Sequence, residues 1–334
     1  MMFATMNLTR RRCLSLASAA LATTTLPLAA SAQIYPSRPI TLIVPSAAGG
    51  PSDTLTRILT ERMKSSLGQP LIIENQGNAG GSIAVGRVAR AAPDGYTISI
   101  GQFGNYVLNG AIYSLSYDVL TDFAPVALLA SNPQVIVSKN ALPAKDLKDL
   151  IAWLKQNPDK AAQGTAGAGS PAHIAGAYFQ DTTGTRFQFV PYRGAAPAMQ
   201  DLLAGQIDLM LDQASNAIPQ VRAGRIRAYA VTSKFRMEAA PEIPTVDEAG
   251  LPGFYVSVWH GLWAPRGTPT DIIAKLNAAV VEALLDATVR QRLGELGQII
   301  PPRDQQTPEA LAIYQKSEAE KWWPIIKAAG IKAE

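Results

Sequence analysis

The run Ile40-Thr41-Leu42-Ile43-Val44-Pro45-Ser46-Ala47-Ala48-Gly49-Gly50-Pro51-Ser52-Asp53 passes from apolar to small to helix-starting residues within fourteen positions. Ile40 to Val44, bounded by Pro39 and Pro45, has the length and continuous apolarity of a buried strand. Ser52-Asp53 supplies helix N-terminal chemistry. Leu55, Ile58, Leu59 and Met63 then fall on one helical face until Gly68 stops the helix. The small residues between strand and helix let another molecule approach the backbone, and the first N–H groups of the helix have no intrahelical acceptor.

Outward from this run the same alternation repeats. Strands are expected at Leu71–Ile73 and Tyr96–Ile100, with a helix at Ser82–Ala91 between them. This βαβαβ rhythm predicts a parallel sheet with helices on both faces. It restarts at Gln134–Val137, followed by a helix at Asp146–Lys155 and a strand at Ala161–Thr165. Ser170-Pro171 opens the next helix, with Ser as cap and Pro at the first position. Phe187–Val190, a helix at Pro197–Ala204, and strands at Ile207–Leu211 and Ile226–Val231 follow. After the strand-like Val256–Trp263, helices are expected over Asp271–Leu293 and Pro308–Ala329. Two βαβ series with a late return to helices fit two lobes, the first completed by the C-terminal part.

Residues 1–32 read as an export signal. Arg10, Arg11 and Arg12 precede an apolar stretch from Leu14 to Ala30, and Ala30-Ser31-Ala32 gives a small-residue cleavage site. The stretch is short and rich in Ala and Thr for a bilayer crossing. Thr9-Arg10-Arg11 with Leu14 fits the twin-arginine route, with the general secretory route equally open. Either route implies a bacterial periplasm.

The chain has 334 residues, 47% hydrophobic and 17% charged, enough for two ordinary domains and too apolar for a disordered chain. Its net charge of +4 includes the three signal arginines, leaving +1, so no nucleic-acid partner is expected. The single cysteine, Cys13, lies in the signal. The mature chain therefore has no disulfide and no thiolate for zinc or nucleophilic catalysis.

The strand, small-residue loop and helix start occurs four times: at 45–53, at Asn75–Gly81, at Gly164–Ser170, and at Tyr192-Arg193-Gly194-Ala195-Ala196. One such loop is plain turn chemistry. Four of them, split between two lobes at the C-terminal ends of strands, form an anion trap of exposed N–H groups and positive helix ends. Ser170 is read either as a helix cap alone or as cap and ligand contact together. Arg193 can pair with a ligand carboxylate or a surface acid, Asp212 ends an apolar strand with either a ligand or a structural role, and His173 packs or hydrogen-bonds locally. The role of His260, beside Trp259 near the expected hinge, is open.

Enzyme motifs are weak. Gly167-x-Gly169-x-x-Ala172 meets only the loose dinucleotide fingerprint, Gly80-Gly81-Ser82-Ile83-Ala84 fails the nucleophile-elbow pattern at its last position, and two histidines without a thiol give no metal set.

Several motifs, in register along the chain, resemble the Bug/TctC family of extracytoplasmic solute receptors. They include Tyr35 to Ile40, Ala47 to Asp53, Asn78-Ala79-Gly80-Gly81, Pro93 to Thr97 and Gly167 to Gly176. Further matches are Pro191 to Met210, Gly261 to Pro269 and Ala328 to Ile331. The resemblance implies an α/β, two-lobed type II periplasmic-binding fold, with lobe 1 from residues 33–132 plus 256–334, lobe 2 from 133–255, and hinge strands near 132 and 256. It implies no enzyme activity, no cofactor and no metal. The implied partners are a small carboxylate and the membrane permease of a tripartite tricarboxylate transporter, served by a monomer. A sensor in signalling or chemotaxis is the alternative partner. One ligand end is expected at Ser46, Ala47, Gly49, Gly50, Ser52, Asp53, Asn78, Ala79, Gly80 and Gly81, in part through waters. The other end is expected at Thr165, Ala166, Gly169, Ser170, His173, Arg193, Gly194 and Ala195, with Asp212 nearby. The chain departs from the family in two places: Ser46 replaces an aromatic residue, and Gln102-Phe103 replaces a smaller one. The first would enlarge the pocket and the second would add a ring, so the expected ligand is an aromatic mono- or dicarboxylate such as terephthalate.

Overall fold

The computed structural model describes residues 1–2, 35–328 and 330–332. The export signal expected over residues 1–32 lies, beyond Met2, outside them. Among the described residues no helix is long and apolar enough to cross a membrane.

The opening run folds as its pattern requires. Ile40–Val44 is strand β1, and Pro51–Leu67 is helix α1, with Leu55, Ile58, Leu59 and Met63 all at most 3% exposed. Each such side chain contributes about 1.5–3 kcal/mol of burial. Gly68 ends α1 in the left-handed region and donates its N–H to the Lys64 carbonyl, the conformation for which glycine carries no Cβ penalty. Leu71–Asn75 (β2) and Thr97–Gln102 (β3) flank β1 in parallel, with Ser82–Ala89 (α2) between them in sequence.

Phe123–Lys139 forms one 17-residue strand, β4, of which the sequence pattern reveals only the second half. Its first half runs antiparallel to Ser257–Pro265 (β9), which also pairs antiparallel with β3. From Gln134 onward β4 pairs with Leu209–Gln213 (β7) on one side and Ile226–Val231 (β8) on the other. Ala162–Thr165 (β5) and Gln188–Pro191 (β6) extend the β7 side in parallel. The order is β2-β1-β3-β9-β4-β7-β5-β6, with β8 also on β4. The sheet is mixed rather than purely parallel: each half keeps its parallel βαβ strands, and β4 and β9 cross between them antiparallel.

Pro125 sits beside one irregularity of the β4–β9 ladder, and Pro133 stands at its last rung, where β4 changes partners. Both positions tolerate a missing N–H. At that change the Gln134 N–H donates to Thr232 Oγ1, and the Thr232 hydroxyl donates to the Val256 carbonyl at 2.6 Å. Asn132 Oδ1 accepts the Ser215 N–H at the start of helix Ala214–Arg222 (α7).

The remaining helices are Asn109–Ile112 (α3), Leu147–Gln156 (α4), Pro171–Thr183 (α5), Ala195–Leu203 (α6), then α7, Thr270–Leu285 (α8), Ala287–Glu295 (α9) and Pro308–Ala328 (α10). A π-helical turn at Gly104–Leu108 leads into α3. The helix expected over 271–293 breaks at Asp286, whose Oδ1 accepts the N–H groups of Thr288 and Val289 and so restarts the helix as α9. Tyr106 stacks on Trp263 at 3.8 Å between centroids, and Phe103 packs against Trp259 and Trp322, so an aromatic layer fastens α10 to β9.

Candidate functional site

All four small-residue loops meet at one cavity of about 60 Å³, at the C-terminal ends of β1, β2, β5 and β6. Its wall contains the predicted residues Ser46, Ala47, Gly50, Ser52, Gly80, Gln102, Ala166, Ser170, Arg193, Gly194, Ala195 and Asp212. The first six come from the β1–β3 half of the sheet and the last six from the half built on β5, β6 and β7.

The helix ends are unequally prepared. Neither α1 nor α6 has a side chain capping its N terminus, so their first N–H groups remain open to another acceptor. At α5 Ser170 does cap, accepting the His173 N–H at 3.3 Å. Pro171 has no N–H to offer, which leaves Ala172 as the first wall residue of that helix with a donor.

Other predicted residues have different work. Phe103 lies at the end of β3 but is 1% exposed and turned into the aromatic layer. It is absent from the cavity wall, so the expected stacking ring is not there. β3 ends at Gln102, which takes the cavity side, and Phe103 already has helical backbone angles. Gly49 donates its N–H to Asp53 Oδ2 at 2.8 Å, and Arg57 binds the same oxygen at 3.0 Å. Burial raises the Asp53 acid, but Arg57, the Gly49 N–H and Asn75 outweigh it and hold the carboxyl below its ordinary range. Asp53 is thus a brace for the loop, and neither it nor Gly49 reaches the wall. Gly169 donates its N–H to His173 Nδ1 at 2.9 Å, which occupies both, and burial lowers the pKa of the ring. Thr165 spans its own loop, with Oγ1 near Gly167. Asn78, Ala79 and Gly81 belong to the short 3-10 turn between β2 and α2, and Gly80 of this turn lines the wall. At Gly81 a Cβ would lie 2.5 Å from the Pro45 carbonyl oxygen, and φ is +79°, so only glycine lets the two loops touch.

The structure adds wall residues that the sequence reading passed over: Gly77, Gly104, Asn105, Asn109, Gln134 and Gln213. Asn105 Nδ2 donates to the Pro45 and Gly80 carbonyls, and Asn109 Nδ2 also donates to Gly80 at 3.0 Å. Two asparagines one helical turn apart therefore tie together the loops after β1 and β2. Their i, i+4 spacing directly after Gly104 was the available signal. Ser46 Oγ, Gln134 Oε1 and Gln213 Oε1 are buried in the wall with no partner, an arrangement that calls for a polar occupant or water.

The two halves touch around the cavity. Gln213 Nε2 donates to Gln102 Oε1 at 3.4 Å, and Tyr113 Oη donates to the Ala168 carbonyl at 3.1 Å. A Cβ on Gly194 would lie 2.7 Å from that of Ala47, and one on Gly169 would lie 2.9 Å from the Ile112 side chain. The wall carries two charged side chains. Arg193 makes no ion pair among the described residues, and Asp212 is 3% exposed. Behind Ser52 of the wall, His260 on β9 is fully buried, with Nε2 3.0 Å from Ser52 Oγ. Among the described residues no cluster of metal-binding side chains occurs.

Known proteins share this arrangement of elements. The pattern described as the tripartite tricarboxylate transporter family receptor matches residues 55–331. A protein of the TAR-I ttuE–ttuC′ intergenic region of Agrobacterium vitis is 43% identical over 311 residues, covering 93% of this chain and 90% of that one. The structure of the periplasmic binding protein BugD superposes with a TM-score of 0.85 at 39% identity, covering 90% of this chain and all of that one. MatC from Rhodopseudomonas palustris, solved with bound malate, gives 0.84 at 41% identity, covering 87% and 100%. The fold is that of periplasmic binding proteins.

Proposed function

We propose that this chain, which belongs to the tripartite tricarboxylate transporter receptor family, captures a small dicarboxylate between two lobes and presents the closed form to a membrane permease. The family is one of periplasmic solute-binding receptors, not of enzymes. The observation that carries the proposal is the convergence of four small-residue loops, three of them leading into helices without a side-chain cap, on one cavity with an arginine in its wall that makes no ion pair among the described residues.

The lobes are residues 33–132 plus 256–334, and 133–255. Closure turns about the crossing where β4 leaves β9 for β7 and β8. Carboxylate oxygens accept hydrogen bonds from both sides, so a ligand with an acid at each end stabilises the closed form by contacts absent from the open one. That differential contact is what a permease can read.

The chemistry of the wall narrows the ligand. Among the described residues no aromatic side chain lines it, and Phe103 is engaged elsewhere. The cavity of about 60 Å³ is only several times the ~10–15 Å³ that a single water occupies. A short aliphatic diacid suits this wall better than terephthalate, and the malate bound by the relative MatC supports that size.

A thermal-shift screen of malate, succinate, citrate and terephthalate tests the reading, because a ligand bound to the folded state alone raises the melting temperature. Stabilisation by the aliphatic diacids is expected. Stabilisation by terephthalate alone would restore the aromatic assignment. If none of these or other carboxylates stabilises the protein, carboxylate capture is wrong.

A further inference from the structure

The cavity that would receive an anion also contains an acid. Asp212 ends β7 inside the wall, with Oδ1 accepting the Gln213 N–H at 2.9 Å and Oδ2 accepting the Asn216 side-chain amide. Among the described residues no cation pairs with it. Apart from Arg193, the charged and titratable groups on the surrounding elements are committed or distant. Arg193, before α6, lines the cavity but forms no ion pair with Asp212. His173 on α5 is held by the Gly169 N–H, and His260 on β9 by Ser52. Lys139 on β4 pairs at 2.7 Å with Asp208, just before β7, at the opposite end of these strands. Tyr192 donates to Asp201, and Arg222 at the far end of α7 binds the carbonyls of Ala239 and Glu295.

A carboxylate ligand entering this wall would meet a second carboxylate if Asp212 were ionised. Two such groups at hydrogen-bonding distance do not both keep their charge, and one holds a proton that the pair shares. Asp212 has the setting for the protonated partner. Its two structural hydrogen bonds each use one lone pair, leaving room for an O–H directed at the cavity. Burial pushes its pKa up to about 7, against the opposing pull of Asn216 and the Gln213 N–H.

We infer that Asp212 binds one carboxylate of the ligand as the neutral acid, donating its O–H to it, so that capture of a diacid takes up one proton from solvent. The inference rests on the carboxylate reading above and adds to it a proton count and a residue. The balance is simple: ionised Asp212 gains a proton from the buffer as the ligand anion arrives, and returns it on release. A diacid is therefore held most tightly in acid and let go as the pH rises. A ligand carrying an ammonium group would instead pair with ionised Asp212 and take up nothing.

Isothermal titration of the mature protein with malate and with succinate, in two buffers of different ionisation enthalpy, tests this. At pH 8 about one proton should be taken up per diacid bound, falling toward none at pH 6. Affinity should weaken about tenfold per pH unit above pH ~7, the signature of one linked proton. Asp212→Asn supplies an N–H donor that needs no proton. It should keep binding at pH 6 within about tenfold of the parent, one charge-assisted hydrogen bond being worth roughly that much, and lose both the uptake and the pH slope. Diacid binding without proton uptake at pH 8, or an Asp212→Asn variant that retains the slope, would overturn the inference while leaving carboxylate capture standing. Failure of every diacid to bind at pH 6 would overturn both.

Discussion

Gly104 meets Pro171 across the cavity so closely that a Cβ on Gly104 would lie 2.8 Å from Pro171 Cδ. One residue opens the π-helical turn after β3, and the other opens α5. A proline ring cannot swing aside as a lysine tip can. Gly104→Ala therefore wedges the proposed lobes apart at the moment of closure. Overpacking of this kind costs roughly 1–3 kcal/mol, or about 5- to 150-fold in affinity. Titration with malate should show that loss, and small-angle scattering should show a liganded form that stays wider than the parent. Parent-like affinity would mean that this contact is not part of a closing seam.

A second glycine acts on the core instead of the cleft. At Gly101 on β3 a Cβ would lie 2.3 Å from the Tyr106 ring, the same ring that stacks on Trp263. Gly101→Ala must push Tyr106 off its stack or bend β3 away from β9. The expected result is a stability loss of about 3 kcal/mol or more, at the upper end for overpacked cores. Urea denaturation would measure it. A midpoint unchanged from the parent would show that the aromatic layer yields easily.

These two positions also mark what the sequence could and could not convey. Helix α1 was legible because Leu55, Ile58, Leu59 and Met63 repeat at the helical period and Gly68 ends it. The four loops were legible because small residues recur at strand ends. The first half of β4 was hidden by Pro125 and Pro133, which argue against a strand until the ladder's irregularity and partner change account for them. Helix α7 was hidden by Pro219 within it. Phe103 misled because the chain turns helical immediately after Gln102, and the ring packs into the aromatic layer instead of the cavity. Which loop N–H groups are already taken, as Gly49 is by Asp53 and Gly169 by His173, depends on side-chain placement that no local pattern encodes.

Arg193 supplies the wall's positive charge, and its guanidinium makes no ion pair among the described residues. Removing it should therefore harm binding and spare folding. Arg193→Ala is expected to weaken malate binding roughly tenfold to a hundredfold, the range for one charged hydrogen bond. Arg193→Lys should recover part of the loss, since it keeps the charge without the planar fork. Melting curves without ligand should shift little. A variant that binds as tightly as the parent would assign Arg193 to the surface.

His260 and Asp212 should oppose one another as the pH falls. Burial holds His260 neutral, with its pKa lowered to about 4, against an unfolded value near 6.5. Between those values the unfolded chain binds a proton that the folded protein refuses, so His260 makes stability fall as the pH drops from 6.5 toward 4. Asp212, raised to about 7 from an ordinary value of about 3.9, keeps a proton that the unfolded chain has released, so it makes stability rise over the same interval. Each slope is on the order of 1 kcal/mol per pH unit, and their signs differ. The ionised Asp53, lowered by its partners, enters only below this window. His173, whose ring burial also holds below its ordinary pKa, acts on the same side as His260. The parent should accordingly show only a shallow pH dependence of stability between pH 6.5 and 5. Asp212→Asn should lose stability with acid more steeply across that interval, because the two histidines then act unopposed. His260→Gln should shift the profile the other way, because Asp212 then faces His173 alone. Urea midpoints of the three proteins at pH 5, 5.75 and 6.5 would reveal the pattern, and parallel pH profiles for all three would refute it.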